Sequence, residues 1–99
     1  MELKDILARI GYVRNQANLS AREVSLRMGM SHQYITHIEA GRIKLTMDKL
    51  LQFLKVCNCP LEKFFYENPN DYEKDKEISN LIKSLPSDKK THIIELLKK

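Results

Sequence analysis

The sequence predicts an all-α protein, a five-helix bundle followed by a C-terminal helical hairpin extension. Three observations point there. Apolar residues recur at helical spacing in short stretches, glycine and proline number only three each, and few β-branched residues alternate with polar ones in the rhythm of a strand. Leu, Ile, Val and Phe make up 28 of the 99 residues. That is too many for a disordered chain and enough for a modest core.

The elements follow in order. Ile6, Ile10 and Val13 repeat at helical spacing and Leu3 and Leu7 widen the stripe, which predicts a first helix over 2–16. Gly11 lies inside it and should weaken it by about 1 kcal/mol relative to alanine. Ala17 and Asn18 break the pattern. Ser20-Ala21-Arg22-Glu23 then has the form of a capping box, in which the serine hydroxyl accepts the Glu23 N–H and the Glu23 carboxylate accepts that of Ser20. It opens a second helix that buries Val24 and Met28 and ends at Gly29, a residue suited to a left-handed turn. Ser31 is the next N-cap candidate and predicts a third helix over 31–40, with Ile35 and Ile38 inward and a stop at Gly41. Thr46 caps a fourth, with Leu50, Leu51, Leu54 and Val56 expected to face the core. Pro60 starts a short fifth, expected to be anchored by Leu61, Phe64 and Phe65. Asn68-Pro69-Asn70-Asp71 interrupts the chain, so 1–67 reads as one domain and 68–99 as the appended hairpin. Its apolar stripes are Ile78, Leu81, Ile82 and Leu85, then Ile93, Ile94 and Leu97.

Composition narrows the function. Residues 1–58 carry nine Lys/Arg against five Asp/Glu, whereas 59–99 balance eight against eight. All five arginines lie between positions 9 and 42, and arginine is the better residue for bidentate contact with phosphate or guanine. No apolar run approaches the roughly 20 residues of a membrane span, and the first nine residues lack a signal peptide's apolar stretch. Cys57 and Cys59 are too few for a disulfide framework, which suggests a reduced, cytoplasmic setting.

A helix, a short turn containing Gly29 and a second helix make a helix-turn-helix. Ser25 falls where the two helices cross, and its small side chain permits their close approach. Residues 12–65 resemble the phage-repressor and Cro type of helix-turn-helix, the XRE-like family. The segments that carry the resemblance are Leu19-Ser20-Ala21-Arg22-Glu23-Val24-Ser25, Gly29-Met30-Ser31 and Tyr34-Ile35-Thr36-His37-Ile38-Glu39-Ala40-Gly41-Arg42. The resemblance implies a lambda-repressor-like bundle that binds duplex DNA as a dimer, and a structural ion pair between Arg14 and Glu39. The sequence departs from the family pattern at Ser25, where alanine is usual, and at Ala40, where a polar or basic residue is usual.

With Ile35 and Ile38 inward, His32, Gln33, Thr36 and His37 are left for the outward face of the third helix. In such domains this face meets base edges in the major groove. Gln33 has the donor and acceptor that match adenine, the histidines can donate to guanine or phosphate, and the Thr36 methyl suits thymine. Phosphate contacts are expected from Ser20 and Ala21 at the start of the second helix, from the Tyr34 hydroxyl, and from Arg42 and Lys44 after the third. Simple packing is an equal reading for Tyr34.

His32 and His37 are five residues apart, which leaves them about 140° apart around a helix, and Cys-x-Cys lacks the spacer of common zinc knuckles. No metal, cofactor or small-molecule ligand is therefore expected. No phosphate loop or nucleophile–base motif suggests an enzyme. The expected function is a sequence-specific DNA-binding regulator, a repressor acting as a homodimer on a palindromic operator. Ile78, Leu81, Ile82, Leu85, Ile93, Ile94 and Leu97 are the expected dimer contacts; the other reading open to these stripes is packing back onto the first helix, where Leu3 and Leu7 extend the apolar face. The alternative is a protein-interaction module, an antitoxin-like partner with secondary or no DNA binding.

Overall fold

The computed structural model describes residues 2–98, and all of its regular structure is helical. Helices α1 (Leu3–Gln16), α2 (Ala21–Arg27), α3 (Tyr34–Glu39), α4 (Met47–Val56) and α5 (Leu61–Phe64) belong to one compact unit, Met1–Phe65. Helices α6 (Pro69–Lys83) and α7 (Ser87–Leu97) belong to a second, Tyr66–Lys99.

In the first unit most helix starts have a local cause. Glu2 and Asp5 form a reciprocal box at α1, and Ser20 and Glu23 form one at α2. The Thr46 hydroxyl accepts the Lys49 N–H at 3.3 Å to open α4. The helix ends share one device. Asn18, Gly29, Gly41 and Asn58 follow α1, α2, α3 and α4 with φ between 53° and 74°. At each, the left-handed residue and the one after it donate back to carbonyls of the last turn, as Met30 N–H does to Ser25 C=O at 3.0 Å. Short helices joined by such tight reversals must pack on one another.

They pack around Phe53, Phe64, Ile10, Ile35 and Ile38, each almost wholly shielded from water, with Val13, Val24, Met28, Tyr34, Leu50, Leu54 and Cys57 completing the core. The Arg9 guanidinium donates to the Phe64 carbonyl at 2.9 Å, tying the single turn of α5 to α1. Gly11 does more than weaken α1. A β-carbon there would stand 2.5 Å from Glu39 Oε1, so α3 reaches α1 through the space a side chain would fill.

Three expectations are corrected. The third helix starts at Tyr34, not Ser31. Ser31 contributes only its carbonyl, to the Tyr34 N–H at 3.0 Å, and residues 32 and 33 form a turn. On α4 the buried face is Leu50, Phe53 and Leu54, which puts Leu51 about 100° round the helix and into solvent. On α5 only Phe64 is buried, because a single turn has one inward position; Leu61 and Phe65 are exposed.

In the second unit the Asn68 side chain accepts the Asn70 N–H and Pro69 takes the first helical position, where a missing N–H costs nothing. The Tyr66 hydroxyl donates to the Asp75 carboxylate, and the Tyr66 ring meets Tyr72 edge-on. Neither α6 nor α7 has a buried residue. Ile78, Leu81, Ile94 and Leu97 are exposed, and Ile82, Leu85 and Ile93 half-buried.

Candidate nucleic-acid interface

The geometry centres on α2 and α3. Tyr34, Ile35 and Ile38 form the buried face of α3. At about 100° per residue, Gln33, Thr36 and His37 fall on the opposite arc. Gln33 is the N-cap, with φ −99° and ψ 1°, and it and Thr36 are exposed while His37 is half-buried at the edge of the arc. His32 is exposed in the turn before it. His32 and Gln33 therefore stand at the mouth of α3, not within it. Tyr34 is 7% exposed and packs in the core, and that burial raises its phenol above the ordinary range.

At the start of α2, the Ser20 hydroxyl accepts the Glu23 N–H at 3.0 Å and the Glu23 carboxylate accepts the Ser20 N–H at 3.2 Å. The Ser20 backbone N–H, then the Ser20 side chain, both hydrogen-bonding to the carboxylate, hold the Glu23 carboxyl below its ordinary value, with a smaller contribution from Arg27. Glu23 thus already places an anion at this helix mouth. The amides of Ala21 and Arg22 have no partner among the described residues.

Arg42 is fixed by its backbone. Its N–H donates to the His37 carbonyl at 2.9 Å and that of Gly41 to Ile38 at 3.0 Å, closing the end of α3. Arg42 and Lys44 are exposed, and no ion pair engages them among the described residues. Arg14 and Glu39 lie on the inner side: Nη2 is 3.1 Å from Oε1, with both side chains mostly shielded from water, and Nη1 also donates to the Leu19 carbonyl at 3.2 Å. That bond offsets the cost of a carboxylate at the negative end of α3.

A helix-turn-helix family model matches residues 10–64, more than half of the chain. The chain belongs to the XRE-type helix-turn-helix family. As a member, it is a DNA-binding transcription regulator, and α2 and α3 are its helix-turn-helix. No curated protein and no solved structure matches the chain. Among the described residues, no helix is long and apolar enough to cross a membrane, and no group of three His, Cys, Asp or Glu side chains could hold a metal ion.

One residue of this helix-turn-helix was visible in the sequence only for its size. Ser25 is fully buried, and its hydroxyl donates to the Ala21 carbonyl at 2.7 Å while accepting the Ile35 N–H at 2.9 Å. The signal was a serine on the inward Val24/Met28 stripe, since a buried hydroxyl must find partners.

Proposed function

We propose that this protein is a homodimeric repressor that reads the major groove of a palindromic operator with α3. Base contacts come from His32, Gln33, Thr36 and His37. Phosphate contacts come from Ser20, Ala21, Arg42 and Lys44; Tyr34, packed in the core, is not among them. The observation that carries the reading is the polar arc of α3, presented opposite a buried Tyr34–Ile35–Ile38 face. A short helix held so firmly on one side offers its other side with little freedom left to lose on binding. Beside it, Arg42 and Lys44 have no ion-pair partner among the described residues and supply the charge that fixes register on the phosphates.

Homodimerisation is assigned to α6 and α7. Ile78 and Leu81 on α6 and Ile94 and Leu97 on α7 are exposed, and so much exposed apolar surface is uncommon on monomers. A twofold contact would set two recognition helices about 34 Å apart, one DNA turn. Repression follows by occupancy: a bound dimer denies the operator to other proteins.

The test is selection from a random duplex library at about 150 mM salt, near-physiological ionic strength. A palindrome with half-sites roughly 10 bp apart supports the reading. With about six phosphates neutralised, the log–log salt slope should be near −5. Gln33→Ala and Arg42→Ala should both weaken binding to the selected duplex, and Leu81→Glu should yield monomers in sedimentation. Absence of enrichment would overturn operator reading in favour of a protein-interaction module.

A further inference from the structure

Helix α3 has no side-chain cap of its own. Its N-cap is Gln33, whose side chain makes no capping hydrogen bond, and Ser31 contributes only a carbonyl. Ile35 is the second residue of α3, and its N–H is one of the first-turn donors that a helix cannot satisfy internally. Here the acceptor comes from the neighbouring helix: Ser25 Oγ of α2, at 2.9 Å and wholly out of water. An amide N–H can only donate, so the serine oxygen accepts and the serine proton is committed elsewhere. It goes to the Ala21 carbonyl at 2.7 Å. The result is a two-bond chain, Ile35 N–H to Ser25 Oγ and Ser25 O–H to Ala21 C=O. One end is in the first turn of α3. The other is the first residue of α2.

We propose that Ser25 is a positioning residue for DNA reading: its hydroxyl locks the first turn of α3 onto α2. In doing so it fixes the spacing between the phosphate contacts at Ser20 and Ala21 and the base contacts at His32, Gln33, Thr36 and His37. This rests on the operator-reading function above. Apolar packing of Ile35 and Ile38 against Val24 and Met28 holds the helices together but tolerates small sliding. A hydrogen bond of defined direction in a dry interface does not. Base recognition requires placement within a fraction of an ångström, whereas phosphate attraction does not. Loss of the hydroxyl should therefore cost selectivity before it costs general affinity.

The experiment compares the full wild-type chain with Ser25→Ala and Ser25→Cys at a temperature where circular dichroism shows all three folded. The probes are the duplex that wild type selects from the random library and a random-sequence duplex of equal length. For Ser25→Ala the affinity for the selected duplex should fall about tenfold, while that for the random duplex at low salt stays within about twofold. Ser25→Cys keeps a side chain at the site, slightly larger, with a much weaker acceptor, and should lose selectivity as Ser25→Ala does. In hydrogen exchange without DNA, the Ile35 amide should lose protection in both variants while that of Ile38 keeps it. An equal fall on both duplexes would mark Ser25 as merely stabilising and overturn the proposal. So would unchanged selectivity. If wild type selects no duplex, the operator-reading function itself fails and the positioning role falls with it. The Ile35 exchange result, read without DNA, then still reports whether the bond between the helices exists.

Discussion

Replacing Gly11 with alanine sets two effects of similar size against each other, and the structure says which wins. Inside a helix the substitution is worth about 1 kcal/mol in favour of the folded state. The new β-carbon, however, would stand 2.5 Å from Glu39 Oε1, with the Glu39 Cδ next at 3.7 Å and, beyond the adjoining residues and the backbone of α1 itself, no other atom within 4 Å. Ordinary contact lies near 3.5 Å, so the carboxylate oxygen must retreat by about 1 Å. It starts 3.1 Å from Arg14 Nη2, and a retreat of that size takes the pair out of hydrogen-bonding range. A hydrogen bond to a charged group contributes about 1.5–3 kcal/mol. Gly11→Ala should thus destabilise the protein by about 0.5–2 kcal/mol, lowering the melting temperature by several degrees at about 4–8 °C per kcal/mol. In a Glu39→Ala background the obstacle is gone and the same substitution should stabilise by up to about 1 kcal/mol. Thermal melts of the four proteins form a double-mutant cycle. If Gly11→Ala stabilises both backgrounds equally, the coupling is absent and the account of how α1 meets α3 is wrong.

Three further outcomes are expected at individual residues. Gly29 holds φ 74° and a β-carbon added there would meet nothing within 4 Å, so Gly29→Ala should cost only the left-handed backbone penalty, about 1–2 kcal/mol by chemical denaturation. Burial raises the Cys57 thiol to about 11 from its ordinary 9.0, with Cys59 adding to the effect, so the thiol's contribution to stability holds below pH 9 and is lost as pH rises towards 11. Denaturation midpoints should show that decline, and Cys57→Ala should lessen it, with the raised Cys59 thiol and Tyr34 phenol keeping the remainder. At about pH 8, below the ordinary thiol range, a thiol reagent should reach Cys57 only on unfolding. The Glu23 carboxyl is held below its ordinary 4.5, so the α2 cap contributes above that pH and is lost as acid protonates it; Glu23→Gln should remove this part of the acid dependence of amide exchange at the start of α2.

Elements fixed by local bonds were legible in the chain before any fold was known. A capping serine with glutamate three residues on, a capping threonine and a glycine after an apolar stripe act through bonds spanning a few residues, so α2, α4 and the helix-turn-helix motif could be read directly, as α1 could from its apolar spacing. Asn68 and Pro69 read as a break and instead start α6. The polar composition of the α3 outer face was legible for the same reason, because Ile35 and Ile38 leave only one arc for their neighbours.

Contacts between helices settled the rest. Ser31 looks like a cap as well as Ser20 does, yet α3 begins at Tyr34 and takes its side-chain acceptor from Ser25, ten residues back and on another helix. Gly11 reads as a weak point in α1 and is the space into which Glu39 is drawn by Arg14. Leu51 and Leu61 read as core and face solvent, because a helix of ten residues or of one turn offers fewer inward positions than its apolar residues could fill. In each case the deciding partner is distant along the chain, and spacing within one segment carries no information about it.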